Sequence, residues 1–171
     1  MSRRRLGGLI CALSALLAVT GCGSDHHGPA AITTADAYSS AIRWYLDSAD
    51  ATPSTSTAGN GSDALIVYLA PASGKAIDSQ VQASVVSDIA DMKNRVTVRF
   101  ADVRDDALDV ETPDLPVKDH GVMLIVGTVT EGPPPVDVEV EVYRSVNDDS
   151  PITMRITASD DTFRATAVSG A

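Results

Sequence analysis

Apolar positions along this chain follow a helical period in two stretches and a strand period elsewhere, and their order sets the expected architecture. From Thr34 to about Ala49, Tyr38, Ile42, Tyr45 and Leu46 share one helical face, with Ala41 and Trp44 flanking it. Thr34 is placed to cap this helix, and Asp36 lies in its first turn, where a carboxylate meets the positive end of the helix dipole. Ser79 to Asn94 repeats the period more cleanly, with Val81, Val85, Ile89 and Met92 aligned and Asp78 as the cap. Between the two, Leu65-Ile66-Val67-Tyr68-Leu69 is an unbroken apolar run, as expected of an interior strand covered on both faces. Pro71 to Asp78 turns the chain into the second helix. Val96, Val98 and Phe100 then alternate with Thr97 and Arg99, the pattern of a half-buried strand. Strand, helix and strand at this spacing predict a right-handed parallel crossover.

The second half changes period. Val122 to Val129, Val136 to Arg144, Ile152 to Ala158 and Phe163 to Val168 are strand-like runs. They are separated by Glu131-Gly132-Pro133, Asn147-Asp148-Asp149 and Ser159-Asp160-Asp161, which predicts an antiparallel meander. In the second run Val136, Val138, Val140 and Val142 face the core, while Asp137, Glu139 and Glu141 face water. Arg155 and Arg164 on neighbouring strands are placed to pair with those carboxylates. The expected fold is α+β, with helices on one face of a mixed, mostly antiparallel sheet and a C-terminal four-strand meander. Residues 32–171 suit one domain of ordinary size. Its stretch at 50–63 is rich in Thr, Ser, Pro, Gly and Asn and reads as a mobile loop. Asn60-Gly61-Ser62 within it matches a glycosylation triplet, read as a chance surface match.

The first residues follow neither pattern. Arg3, Arg4 and Arg5 precede an apolar run from Leu6 to Val19, which ends in small residues before Cys22. That order of charged, apolar and small regions is that of a secretion signal, and the run is short for a membrane-spanning helix. Val19-Thr20-Gly21-Cys22 resembles the lipobox of bacterial lipoproteins. The resemblance covers about the first 24 residues and implies removal of the signal peptide 1–21 and attachment of diacylglycerol, with further acylation, at Cys22. Ser2-Arg3-Arg4-Arg5-Leu6 also partly resembles a twin-arginine signal, so export by that route or by Sec is expected. Residues 22–31 read as a flexible tether. Two or more acyl chains hold a protein to a bilayer effectively permanently, so the lipid on Cys22 makes the membrane a partner and sets the location on its extracytoplasmic face.

Maturation sharpens composition. Cys11 falls in the signal and Cys22 carries the lipid, so the expected domain is free of disulfides and cysteine metal sites. Cleavage removes three of the 13 basic residues and none of the 23 acidic ones, leaving ten against 23, a net charge of −13. Such a surface repels nucleic acid and anionic headgroups, which excludes nucleic acid as an expected partner.

Candidate chemistry is sparse. If residues 103–110 form a short helix, Asp102, Asp105, Asp106 and Asp109 share one face opposite Val103, Ala107 and Val110. These carboxylates are weak candidates for a divalent-cation site, because their spacing lacks the alternation and central glycine of an EF-hand loop; a solvated acidic face is the plainer expectation. His120 sits in a turn entering a strand, and no nucleophile elbow surrounds any serine. His26 and His27 are adjacent in the tether but lack a third ligand. Phosphate-loop and dinucleotide fingerprints are absent from the sequence. No catalytic residue and no cofactor is expected. The expected role is a non-enzymatic interaction or accessory module with an envelope protein partner. The alternatives are a small-ligand or cation-binding lipoprotein and, behind it, a carboxylate-dependent hydrolase.

Overall fold

The alternating valines of the second half and the unbroken apolar runs of the first are reconciled in one curled sheet. The computed structural model describes residues 30–48, 64–93, 95–159 and 162–168. The lipobox, all but the end of the 22–31 tether, His26, His27, the 50–63 loop and Asn60-Gly61-Ser62 lie outside them. Two helices, α1 (Thr34–Asp47) and α2 (Ser79–Asp88), accompany strands β1 (Leu65–Pro71), β2 (Val96–Phe100), β3 (Val122–Val126), β4 (Val136–Ser145), β5 (Asp148–Ser159) and β6 (Thr162–Val168). The strand order is β2-β1-β3-β4-β5-β6. β1 runs parallel to both β2 and β3, and the remaining neighbours are antiparallel, so the C-terminal meander spans β3 to β6.

The main core lies between the helices and one sheet face. Tyr38, Ala41, Ile42 and Tyr45 of α1 and Val85 of α2 meet Val67, Leu69, Leu124, Val138, Val140, Met154 and Ile156. All four inward valines of β4 are buried, as their alternation requires. β1 and β3 are apolar on both faces because the second face is covered too. Tyr68, Ala70, Met123, Ile125 and Tyr143 form a smaller core with Ala101, Ala107, Leu108 and Val117, supplied by the segment 101–121 folded across the sheet. This strap is held by the Leu108–Val117 bridge and by Val117 N–H donating to the Arg144 carbonyl at 3.0 Å.

Several boundaries differ from expectation, each for a local reason. The α1 cap is Thr33, one residue before Thr34; its hydroxyl and backbone N–H engage Asp36 in a reciprocal capping box. Thr34 instead donates its N–H and hydroxyl to Glu131, each at 2.8 Å. The second helix does not run unbroken to Asn94. Ile89 leaves the α region (φ −100°, ψ 9°) and a 3-10 turn follows at Ala90–Met92. The three-residue period of that turn keeps Ile89 and Met92 on the buried side. β3 stops at Val126 rather than Val129, because the Gly127 carbonyl accepts a hydrogen bond from the Tyr38 hydroxyl at 3.1 Å. Asp148 and Asp149 belong to β5, which is joined to β4 by Val146 and Asn147 alone. Pro151 is accommodated there because, among the described residues, β6 reaches only as far as Thr153, leaving Pro151 without a ladder neighbour on that side. Arg155 does pair with Asp137, with two hydrogen bonds of 2.8 and 2.9 Å. Arg164 does not meet the β4 carboxylates, because it stands opposite Thr157, two strands away.

Candidate functional site

The acidic stretch after β2 does not form the helix that would align its carboxylates. Only Arg104–Ala107 makes a 3-10 turn, and Leu108 then extends (φ −98°, ψ 145°) to reach Val117. Asp102, Asp105 and Asp106 are exposed. Asp109 is folded back on its own loop, accepting from the Glu111 N–H at 3.2 Å and the Thr112 hydroxyl at 2.9 Å. Ala107 is buried as expected, but Val103 and Val110 are 46% and 64% exposed, and Leu108 takes the inward position. Arg104 lies 4.1 Å over the Tyr143 ring and 3.3 Å from the Glu141 carboxylate, and the Lys118 ammonium donates to the Asp106 carbonyl. The polar groups of this segment therefore fasten the strap. Among the described residues no three His, Cys, Asp or Glu side chains meet in a metal-ligating group.

At the far end of the strap, Tyr68, Arg99 and Asp119 converge. Parallel register places Tyr68 of β1 beside Arg99 of β2. The Tyr68 hydroxyl donates to Asp119 Oδ2 at 2.9 Å and accepts from Arg99 at 2.9 Å, while Arg99 also donates to the same carboxylate oxygen. The Tyr68 hydrogen bond, followed by that of Arg99, holds the Asp119 carboxyl below its usual range, and burial pushes the Tyr68 hydroxyl up. Asp119 and His120 both adopt left-handed backbone (φ 57° and 53°), and Gly121 lets this turn pass close under β1. His120 itself is exposed, in the turn where the sequence placed it. This cluster is a clamp between the turn and the sheet, made through one guanidinium nitrogen, one carboxylate oxygen and the Tyr68 hydroxyl.

A concave surface lies elsewhere. An open groove of about 710 Å³ runs over the outward face of α1, walled by α2 on one side and β6 on the other. The helical period that buries Tyr38, Ile42 and Tyr45 sends Asp36, Ser40, Arg43, Trp44 and Asp47 toward this groove. Asp88 and Asp91 come from α2 and the turn after it, and Phe163 and Ala165 from β6. Arg43 spans the helices, donating to both Asp91 oxygens at 3.1 and 2.8 Å and to the Asp88 carbonyl. That hydrogen bonding lowers the Asp91 carboxyl below its usual range and raises the Arg43 guanidinium. Ser39 donates to Asp88 at 3.1 Å, and Ser40 reaches the Phe163 carbonyl at 3.4 Å. The result is a half-open trough with an acidic rim, one partly buried indole and an arginine fixed in its floor. No known protein family, curated protein or solved structure matches the chain.

No local pattern of residues marks the groove as a site. Trp44 was visible as a flank of the α1 core face, and the polar face of α1 was legible beside it. The pairing of Arg43 with Asp91 joins residues 48 positions apart and depends on how the two helices pack. The Tyr68–Arg99–Asp119 cluster was hidden in the same way, since it needs the parallel register and the strap together.

Proposed function

We propose that this chain is a lipid-anchored module on the extracytoplasmic face of a bacterial membrane, acting through contact with an envelope protein rather than by catalysis. The location rests on Arg3-Arg4-Arg5, the apolar run after them and Val19-Thr20-Gly21-Cys22. Attachment depends on the lipid, because a domain carrying −13 has no electrostatic affinity for anionic headgroups. The observation that carries the contact role is the open trough over α1, with Trp44 in its wall and charged groups on its rim. Tryptophan and arginine are enriched at protein-binding surfaces, whose rims are polar. The test is fractionation of cells expressing wild type and Cys22→Ala, with the membranes washed in high salt. Wild type is expected to stay with the membranes and the variant to appear in the soluble fraction. Equal release of both overturns the anchor. A photo-crosslinker at position 47, on the groove rim, is expected to give a discrete protein adduct that the same group at position 97, on β2, does not.

Small-ligand or cation binding is the second candidate, and one feature favours it. Glu139 lies between two shallow hollows of about 550 and 300 Å³ that share Ala72 and Thr153. Calcium titration by calorimetry decides this: heat at micromolar to millimolar calcium, lost in Glu139→Gln or in Asp105→Asn, supports a site, and no heat removes it.

A further inference from the structure

We infer that the groove over α1 receives an extended, lysine- or arginine-bearing segment of a partner protein, which adds as a further strand to the edge of β6. The inference rests on the contact role proposed above and names the chemistry of the partner. β6 is the terminal strand of the sheet, and among the described residues no strand lies beyond it. Natural edges are blunted by proline, charged side chains, bulges or brevity. Thr162–Val168 carries one charged side chain, Arg164, and is otherwise unprotected: seven residues in unbroken register with β5, without Pro, Gly or Lys. The Phe163 carbonyl is turned toward Ser40 of α1 instead of toward β5. By the alternation of an antiparallel ladder, the backbone groups of Ala165 and Ala167 turn to the same side. An added strand meets these groups and lies along the groove wall, so main-chain bonds supply affinity and the groove supplies selection.

The groove selects by charge and by one aromatic. Asp47 and Asp91 on its rim have side chains 76% and 64% exposed, and Asp36 and Asp88 line it further in. Arg43 is engaged with Asp91 and the Asp88 carbonyl, Asp47 lies 3.8 Å from Arg95, and Arg164 of β6 also lines the groove, so the lining is acidic by the balance of four aspartates over two arginines. Trp44 is partly buried in the wall, where its ring face suits a cationic side chain. A second copy of this chain is the less suitable occupant. Pairing β6 with β6 brings together two chains of net charge −10 and apposes two acidic grooves.

Trp44 is the sole tryptophan of the chain, so its emission reports this groove alone. The experiment titrates the full-length protein in neutral detergent with a synthetic peptide alternating lysine and valine. The controls are a peptide of equal length alternating glutamate and valine, and an N-methylated lysine–valine peptide that lacks half its backbone donors. The lysine–valine peptide is expected to shift Trp44 emission saturably. The N-methylated peptide is expected to bind at least tenfold more weakly and the glutamate peptide not at all. Asp47→Lys is expected to weaken binding by about fivefold, the upper range for an exposed ion pair. Ala167→Pro, at an exposed position whose N–H faces away from β5, is expected to abolish binding while leaving the thermal transition in place. Unchanged Trp44 emission at millimolar peptide, or equal binding of the glutamate peptide, overturns the inference. So does sedimentation of the protein alone as a dimer with protected β6 amides, which makes a second copy the occupant. If the groove fails while position-specific cross-links form from another face, the contact role stands and only this partner assignment falls.

Discussion

Gly121 offers a sharp test of how the strap is seated. A Cβ built on Gly121 lies 2.7 Å from the Ile66 carbonyl oxygen and 3.3 Å from that of Lys118, and both atoms are backbone. Ordinary contact begins at 3.4 Å, so Gly121→Ala forces β1 and the Lys118–His120 turn apart by about 0.7 Å. No flexible side chain is available to yield. The same turn carries Asp119, so the displacement also strains its bonds to Tyr68 and Arg99. Overpacking of this kind costs about 1–3 kcal/mol. In a domain of about 140 residues that corresponds to a fall in Tm of roughly 3–12 °C. Gly132→Ala is the matched control, since nothing lies within 4 Å of its added Cβ and its backbone is not left-handed. Its effect is expected to stay within about 0.5 kcal/mol. Gly127→Ala falls between them, with its nearest contact, the Glu139 carbonyl oxygen, at 3.2 Å. Urea unfolding followed by circular dichroism reads all three through the midpoint at constant slope. If Gly121→Ala unfolds at the midpoint of Gly132→Ala, the close approach of β1 to the turn is not a constraint and the seating of the strap is wrong.

Other expectations concern the cap, the strap and the carboxylates. Thr33→Ala removes the α1 cap and is expected to cost about 1 kcal/mol in urea unfolding; no loss transfers the capping role away from Thr33. Tyr143→Phe deletes the 2.9 Å bond from its hydroxyl to the Leu115 carbonyl. A loss of about 1 kcal/mol is expected, with faster hydrogen exchange at Val117 than in β4, and unchanged exchange at Val117 counts against the strap as a separable unit. Asp91, Asp119, Glu131 and Asp137 are each held below their usual range by hydrogen bonds, so folding favours their ionised forms. Their contribution is intact above the unfolded carboxylate range near pH ~4 and is lost as pH falls through the lowered folded values. Stability is therefore expected to be flat at neutral pH and to decline below pH ~4. In Tyr68→Phe, carbon-detected NMR titration should move the Asp119 midpoint upward; an unmoved midpoint removes Tyr68 as the main cause.

The sequence carried the core faces well and the polar architecture poorly. Val136, Val138, Val140 and Val142 announced their burial because a strand has a period of two and the alternation is clean. Tyr38, Ile42, Tyr45 and Leu46 did the same at helical period. The 101–121 strap is not legible as a core element because its inward residues, Ala107, Leu108 and Val117, are few and widely spaced among carboxylates. Their burial is decided by the second face of β1 and β3, which no local period encodes. The candidate aspartates failed as a group for a related reason. One turn of 3-10 helix is too short to align Asp102 with Asp109, and the chain leaves it to complete the Leu108–Val117 bridge. The groove was invisible because Arg43 with Asp91 and Ser40 with Phe163 are meetings of distant segments.

α1, the first described element, packs against β6, the last, and Ala165 of β6 shares a core with Ile42 and Tyr45 of α1. A chain synthesised N-terminus first therefore leaves the apolar face of α1 incompletely covered until β6 has emerged. Among the described elements this pairing spans the greatest sequence separation, and contacts of that kind carry a large loop-closure cost. A product truncated before Thr162 lacks the strand that seals α1 and leaves Ile42 and Tyr45 without their β6 partner. In this fold the burial of the first helix is conditional on the placement of the last strand.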